Sequence, residues 1–303
     1  MITPRLKILL SYHYFRNVDL DEFIGKNFGE PYPEVFIDSG AFSAMTQGAN
    51  ISLEEYAEYL TRYKHWITVC ANLDVIRHAD LSWTNQRKLE DMGHNPLPVF
   101  HVSEEWEWLE HYVERYPYIA LGVAGAKPPQ YMGWVVKCFQ IAAGRSVFHG
   151  FGITTWQALK AFRWHSVDSS SWGMGFRYGT VPVFDPRHGK FQKLDLRDRK
   201  AWYSHARLVR SYGYDPEDFV DPARYHYLTA AGLSAMSYVE AEQWVKRRHG
   251  EIPIPNFLEG QARLYSDSPP GLKLYIVDGS TTNLIAAQEA FRRYSALKIA
   301  EVA

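Results

Sequence analysis

The chain has 303 residues, of which 46% are hydrophobic and 15% aromatic, enough apolar material for a large packed core rather than a disordered chain. Its net charge of −1 excludes a globally basic nucleic-acid binder. Its two cysteines, Cys70 and Cys138, exclude a disulfide framework or a cysteine-rich zinc site. The apolar runs are short and no signal-peptide pattern opens the chain, so the expectation is a soluble protein of a reducing cytoplasm, away from membranes.

In chain order, strand-like runs fall at Leu6–Tyr12, Val35–Ile37, Trp66–Leu73, Leu97–His101, Tyr118–Val123, Val147–Gly150 and Ser166–Asp168. Helical segments separate them. One starts at Ser52 with Glu55 as a capping box and Leu53, Tyr56, Ala57 and Leu60 on one face. Others cover Asp80–Met92, about Glu104–Arg115, and Pro128–Ala142, and a short one follows Thr154 or Thr155 as N-cap. Seven β-then-α units with short loops predict an α/β fold, a (β/α)₈ barrel, with a doubly wound sheet as the alternative. After Trp172 the rhythm breaks into a glycine-rich loop at Gly173–Gly179, a hairpin at Thr180–Leu194 and a helical stretch at Asp198–Tyr212. Two further helices are expected near Ala230–Arg248 and Thr282–Val302. The whole chain reads as one domain, with about 215–303 completing the barrel and adding C-terminal helices. The eighth strand has no clear position.

Three aspartates stand at the ends of apolar runs: Asp38 in Val35-Phe36-Ile37-Asp38-Ser39-Gly40-Ala41-Phe42, Asp74 after Val69-Cys70-Ala71-Asn72-Leu73, and Asp168 before Ser169-Ser170-Ser171-Trp172. In a parallel barrel the strand ends converge on one mouth, so residues far apart in sequence meet around one ligand. Several carboxylates in one pocket can supply a nucleophile, a proton donor or acceptor, and an acceptor for N–H groups. Each aspartate alone reads more readily as an N-cap or Asx-turn residue. Gly40 allows close backbone approach, and Phe42 offers a ring that can stack on a flat ligand.

Taken together, these segments resemble the queuine/archaeosine tRNA-guanine transglycosylase superfamily. Asp38-Ser39-Gly40-Ala41-Phe42 looks like its Asp-Ser-Gly-(Gly/Ser)-(Tyr/Phe) signature, and Val167-Asp168-Ser169-Ser170-Ser171-Trp172 like the segment around the nucleophile in the archaeal branch. Gly122-Val123-Ala124 resembles the family's Gly-Leu-(Ser/Ala) strand end and His149-Gly150-Phe151-Gly152 its Met-Gly-Val-Gly. The resemblance covers about residues 30–180. It implies that Asp168 attacks C1′ of a target guanosine and that Asp38 acts as general acid and then base. Asp74 would accept the base's N1–H and 2-amino group, Gly122 and Val123 would contact the base through backbone groups, and Ser39 of the signature turn and Gly150 would also belong to the base-binding set. Phe42 and His149 would sandwich the ring, with His101 where the family usually has a glutamine.

The family's zinc site, built from closely spaced cysteines and a histidine, is missing, so no zinc or other cofactor or metal is expected. The archaeal-type RNA-binding domain is missing too. These departures bring the chain nearest the DpdA-type DNA 7-deazaguanine transglycosylases of bacteriophages, which implies DNA as partner, a 7-deazaguanine such as preQ0 as incoming base, and a host cytoplasm if phage-encoded. The alternatives are the same chemistry on tRNA, or a catalytically silent nucleic-acid-binding subunit, and partner proteins are left open. Between Arg177 and Arg210 nine Lys or Arg face three Asp, a local +6 that leaves −7 elsewhere. Arg177, Arg187, Lys190 and Lys193 in this run are the expected phosphate contacts.

Overall fold

The computed structural model describes residues 5–123, 126, 128–153, 155–255 and 271–302. Ten strands are present among them: β1 (Lys7–Ser11), β2 (Glu34–Asp38), β3 (Ile67–Cys70), β4 (Val99–His101), β5 (Tyr118–Gly122), β6 (Val147–Phe151), β7 (Ser166–Ser169), β8 (Thr180–Asp185), β9 (Lys190–Asp195) and β10 (Lys273–Val277). Eight of them form one parallel sheet in the order β3-β2-β1-β10-β7-β6-β5-β4. The strand cores, such as Val35-Phe36-Ile37 and Ile119-Ala120-Leu121, are buried on both faces, as a parallel sheet flanked by helices requires.

The sheet curls. Phe36 of β2 lies with its ring centroid 4.6 Å from that of His149 and 5.8 Å from that of Phe151, both on β6. Those strands are four places apart in the order, roughly 19 Å in a flat sheet at the usual strand spacing. Leu9, Phe36, Val69, Val99, Tyr118, Ala120 and Tyr275, from six strands, pack into one cluster on the inner face. The two edge strands share no ladder. They meet at one parallel bridge beyond β3, between Ala71 and Leu97, where Leu97 N–H donates to Cys70 O at 2.8 Å and Asn72 N–H donates to Leu97 O at 2.9 Å.

Local sequence accounts for the helices that cover the outer face. Helix Leu53–Arg62 starts at Ser52, whose Oγ accepts the Glu55 N–H at 3.3 Å, and it buries Leu53, Tyr56, Ala57 and Leu60. Helices Ala79–Asp91, Trp106–Val113 and Pro128–Ala142 follow their strands as expected. Thr155 caps helix Trp156–Ala161 by accepting the Ala158 N–H, while Thr154 lies outside the described residues.

The tail departs from the expected pattern. Gly173–Gly179 is not a loop but a 3₁₀ turn, Ser171–Gly173, running into a helix at Met174–Tyr178. A Cβ on Gly175 would sit 2.9 Å from Val181 Cα, so glycine is what lets this helix lie against β8. β8 and β9 form an antiparallel hairpin outside the main sheet. Asp198–Tyr212 breaks into helices Arg199–Ser204 and Ala206–Arg210. The eighth strand of the sheet is β10, inserted between β1 and β7 after the long helix Tyr227–His249. Glu242 of that helix accepts the Leu274 N–H at 2.8 Å and pairs with Lys7 and Lys246 at 3.0 and 2.9 Å, which anchors the start of β10. Helix Thr281–Val302 then runs back along the outside. Among the described residues no helix is long and apolar enough to cross a membrane.

Candidate active site

Parallel pairing brings the C-terminal ends of the strands to one face. Asp38 ends β2 and is in register with Ser11, while the Ala71–Leu97 bridge leads the chain directly to Asp74. His101 ends β4 opposite Gly122, which ends β5. Asp168 lies in β7, paired with Tyr275 of β10. A cleft of about 370 Å³ opens here, lined by Asp38, Phe42, Asp74, His101, Val123 and Phe151 among others. That volume falls in the range of small-molecule sites.

Asp38 sits at the rim of a tight turn. Gly40, at φ +77°, donates its N–H to Asp38 Oδ2 at 3.1 Å. Burial, then the charges of Asp74 and Asp168, push the Asp38 carboxyl up to about 7, against the backbone N–H groups of Gly40 and Ser39. Two neighbouring carboxylates and little water thus keep a substantial share of Asp38 in the neutral form near pH 7. Ser39 is fully buried beneath the turn, where its Oγ accepts the Ala41 N–H at 3.4 Å, and it is not part of the cleft wall. Phe42, on helix Ala41–Thr46, is 45% exposed and presents an open ring at the cleft edge.

Asp74 and His101 form a buried pair, His101 Nε2 lying 2.5 Å from Asp74 Oδ2. Burial disfavours the imidazolium, but the hydrogen bond and charge of Asp74, with Glu104 behind, outweigh it and raise the His101 proton affinity. Glu104 accepts the His101 backbone N–H at 2.9 Å. Gly122 is glycine for His101: a Cβ there would collide with the imidazole Nδ1 and Cε1. Asp74 itself lines the cleft. Ala124, the last residue of the Gly-Val-Ala segment, lies outside them.

Asp168 stands behind one wall of the cleft. Its Oδ1 accepts the N–H of Gly152, a cleft-lining residue, at 2.9 Å, and lies 3.4 Å from His149 Nε2. Its charge reaches Asp38, where it is among the causes of the raised proton affinity.

Two more expected base contacts, besides Ser39, fall elsewhere. His149 is fully buried below the cleft, its ring between Phe36 and Phe151, so it has no face open to a ligand. Phe151, two residues on and therefore on the same face of β6, lines the cleft instead. Gly150, one residue from each, points to the outer face, where a Cβ would meet Trp164 at 3.0 Å and Ile153 at 3.2 Å.

The expected phosphate contacts also disperse. Arg177 is tied to Asp278 at 2.6 Å, and Asp278 lies just past the end of β10. Arg187 and Lys190 are exposed but stand at the hairpin turn, beside Gly189, whose Cα packs on the Trp244 indole two residues from Glu242. The Gly189 carbonyl accepts the Trp156 indole N–H at 2.6 Å, which sets this turn against the start of the helix that follows β6, and neither Arg187 nor Lys190 lines the cleft. Lys193 is exposed midway along β9. The sequence reading missed Asp278, although an aspartate directly after Leu274-Tyr275-Ile276-Val277 repeats the pattern that marked Asp38. Among the described residues no group of three or more His, Cys, Asp or Glu is arranged to hold a metal ion.

No protein-family model matches the chain, and no curated protein matches its sequence.

Proposed function

We propose that this chain is a (β/α)₈-barrel transglycosylase that exchanges guanine in DNA for a 7-deazaguanine such as preQ0 through a covalent aspartyl intermediate. The observation that carries the reading is that Asp38 and Asp74 share one cleft, with Asp168 just behind its wall and near enough to help raise Asp38 to about 7. A general acid is most effective when its proton affinity lies near the working pH.

Asp168 attacks C1′ of the target nucleotide, and the C1′–N9 bond breaks with its electron pair passing to guanine. The neutral Asp38 carboxyl gives the departing base its proton, leaving a glycosyl ester on Asp168. The incoming 7-deazaguanine gives a proton to the Asp38 carboxylate, attacks C1′ and releases Asp168. Two displacements retain configuration, the same logic as in retaining glycosidases. Asp74, which lines the cleft, accepts the base N1–H and 2-amino group in this reading, Phe42 and Phe151 offer rings to the flat base, and His101, Gly122 and Val123 complete the lining. In a duplex the target nucleotide must leave the stack to reach the cleft.

The test is incubation of the purified protein with labelled preQ0 or guanine and either DNA or tRNA. Label in DNA alone is the expected result. Label in tRNA alone assigns the tRNA reaction. Absence of label in both, together with retained nucleic-acid binding, assigns a silent binding subunit.

A further inference from the structure

Below Asp168 runs a line of buried polar groups that the reaction does not use directly. Tyr118 Oη lies 2.5 Å from Ser166 Oγ, and Ser166 Oγ lies 2.5 Å from His149 Nδ1. His149 Nε2, completely buried, has no hydrogen-bond partner at close range among the described residues and points at Asp168 Oδ1, 3.4 Å away. Tyr118 and Ser166 are buried as well. Phe36, Phe151 and Tyr275 pack round the imidazole. The titratable groups facing it are Asp168, Tyr118 through Ser166, Tyr275 and, more remotely, His165.

One proton arrangement satisfies all of these groups. An ionised carboxylate only accepts, so Nε2 must carry the hydrogen. In a neutral imidazole Nδ1 is then the acceptor, so Ser166 Oγ–H donates to it. The Ser166 lone pairs are free to accept from Tyr118 O–H. Burial lowers the His149 proton affinity, against the pull of Asp168, which fits the neutral ring.

We propose that Tyr118, Ser166 and His149 form a one-way donor chain that presents Nε2–H to Asp168. Resting on the reading of Asp168 as nucleophile, the chain makes His149 a positioning residue. Gly152 N–H and His149 Nε2–H both address Oδ1, which leaves Oδ2 as the attacking atom. The bond to His149 shortens as the carboxylate is desolvated by substrate, since such bonds are commonly long before the complex forms.

The test begins with the unmodified protein. Nitrogen-15 histidine spectra at pH 7, with His149 assigned by its loss in His149→Gln, are expected to show a neutral Nε2–H tautomer. Ser166→Ala is expected to abolish the preference for that tautomer. A hydrogen bond to a charged group corresponds to about a tenfold effect or more. Ser166→Ala should therefore slow ester formation with guanine-containing DNA about tenfold at unchanged KM, and move the acid limb of its pH profile about one unit upward. The alkaline limb, set by Asp38, should stay in place. Tyr118→Phe should produce the same changes more weakly. A wild-type Nδ1–H tautomer or imidazolium overturns the proposal, and so does a Ser166→Ala protein that forms the ester at the wild-type rate with an unmoved limb. An Nε2–H tautomer in a protein that exchanges no base in any nucleic acid upholds the donor chain and overturns the nucleophile reading.

Discussion

At the scale of single residues, the two outer aspartates have opposite surroundings. Asp168 is held by donors, whereas Asp38 faces two other carboxylates. Asp168→Asn is expected to lower exchange by about 10⁴-fold and to abolish trapping of the ester, read by denaturing gels of protein with labelled DNA. Asp38→Asn should still form the ester, slowly, but fail to complete turnover. In the proposed cycle Asp38 starts protonated, so exchange by the wild type should decline as pH rises through about 7. Stability carries the same signature. A carboxyl whose native value is raised holds its proton more tightly folded than unfolded, so the native state loses stability as pH climbs from about 4 to about 7. Asp38→Asn should thus be more stable than wild type at pH 8, by on the order of 4 kcal/mol, and equal to it near pH 4. Denaturant titrations at the two values decide the point, and equal differences at both would refute it.

At the scale of elements, β4 and β5 are joined at the mouth by a residue that is nothing but backbone. Gly122→Ala would push its methyl into the His101 ring and so strain the His101–Asp74 pair. The expected cost is about 1–3 kcal/mol in unfolding free energy, the usual range for overpacking, together with weaker binding of the incoming base. Calorimetry and base-binding titrations report the two effects separately. The basic run from Arg177 onwards is a second case. Arg177, Arg197, Arg199 and Arg210 are each paired with a nearby carboxylate, so much of the local +6 is neutralised within the fold. Arg187→Ala together with Lys190→Ala is expected to leave the KM for a short target strand within about twofold, because neither residue lines the cleft. A tenfold rise in KM would return them to the binding surface.

At the scale of the whole molecule, β10 ties the C-terminal third of the chain between β1 and β7. Its first residue, Lys273, is buried with Glu34 at 3.0 Å, under Tyr275, whose hydroxyl donates to Glu34 at 2.6 Å. Removing one partner of a buried ion pair leaves the other charge stranded, so Lys273→Met is expected to destabilise by about 3–5 kcal/mol, measurable as a lowered denaturation midpoint. Loss of β10 would also undo the position of Asp168, its register neighbour through Tyr275, so exchange should fall with stability.

The repeated β-then-α order, the capped helix at Ser52 and the aspartates at apolar strand ends were all legible in the sequence, because each depends on neighbours within a few residues. Strand periodicity also held the information that His149 and Phe151 share a face, and Gly150 the other. Which of the two rings meets the cleft was decided by depth along β6, and depth depends on how Phe36 crosses from a strand four places away. The same holds for β10 and Asp278: nothing local says that a strand following a 23-residue helix inserts beside the first one. Charge counted along the chain likewise could not reveal that Arg177 turns inward to Asp278, 101 residues away. Local patterning set the elements and their acidic ends, and long-range packing alone set the curl of the sheet, the raised proton affinity of Asp38 and the withdrawal of His149 beneath Asp168. The physical reason is that desolvation and coupling between charges depend on distances in space, which only the assembled sheet creates.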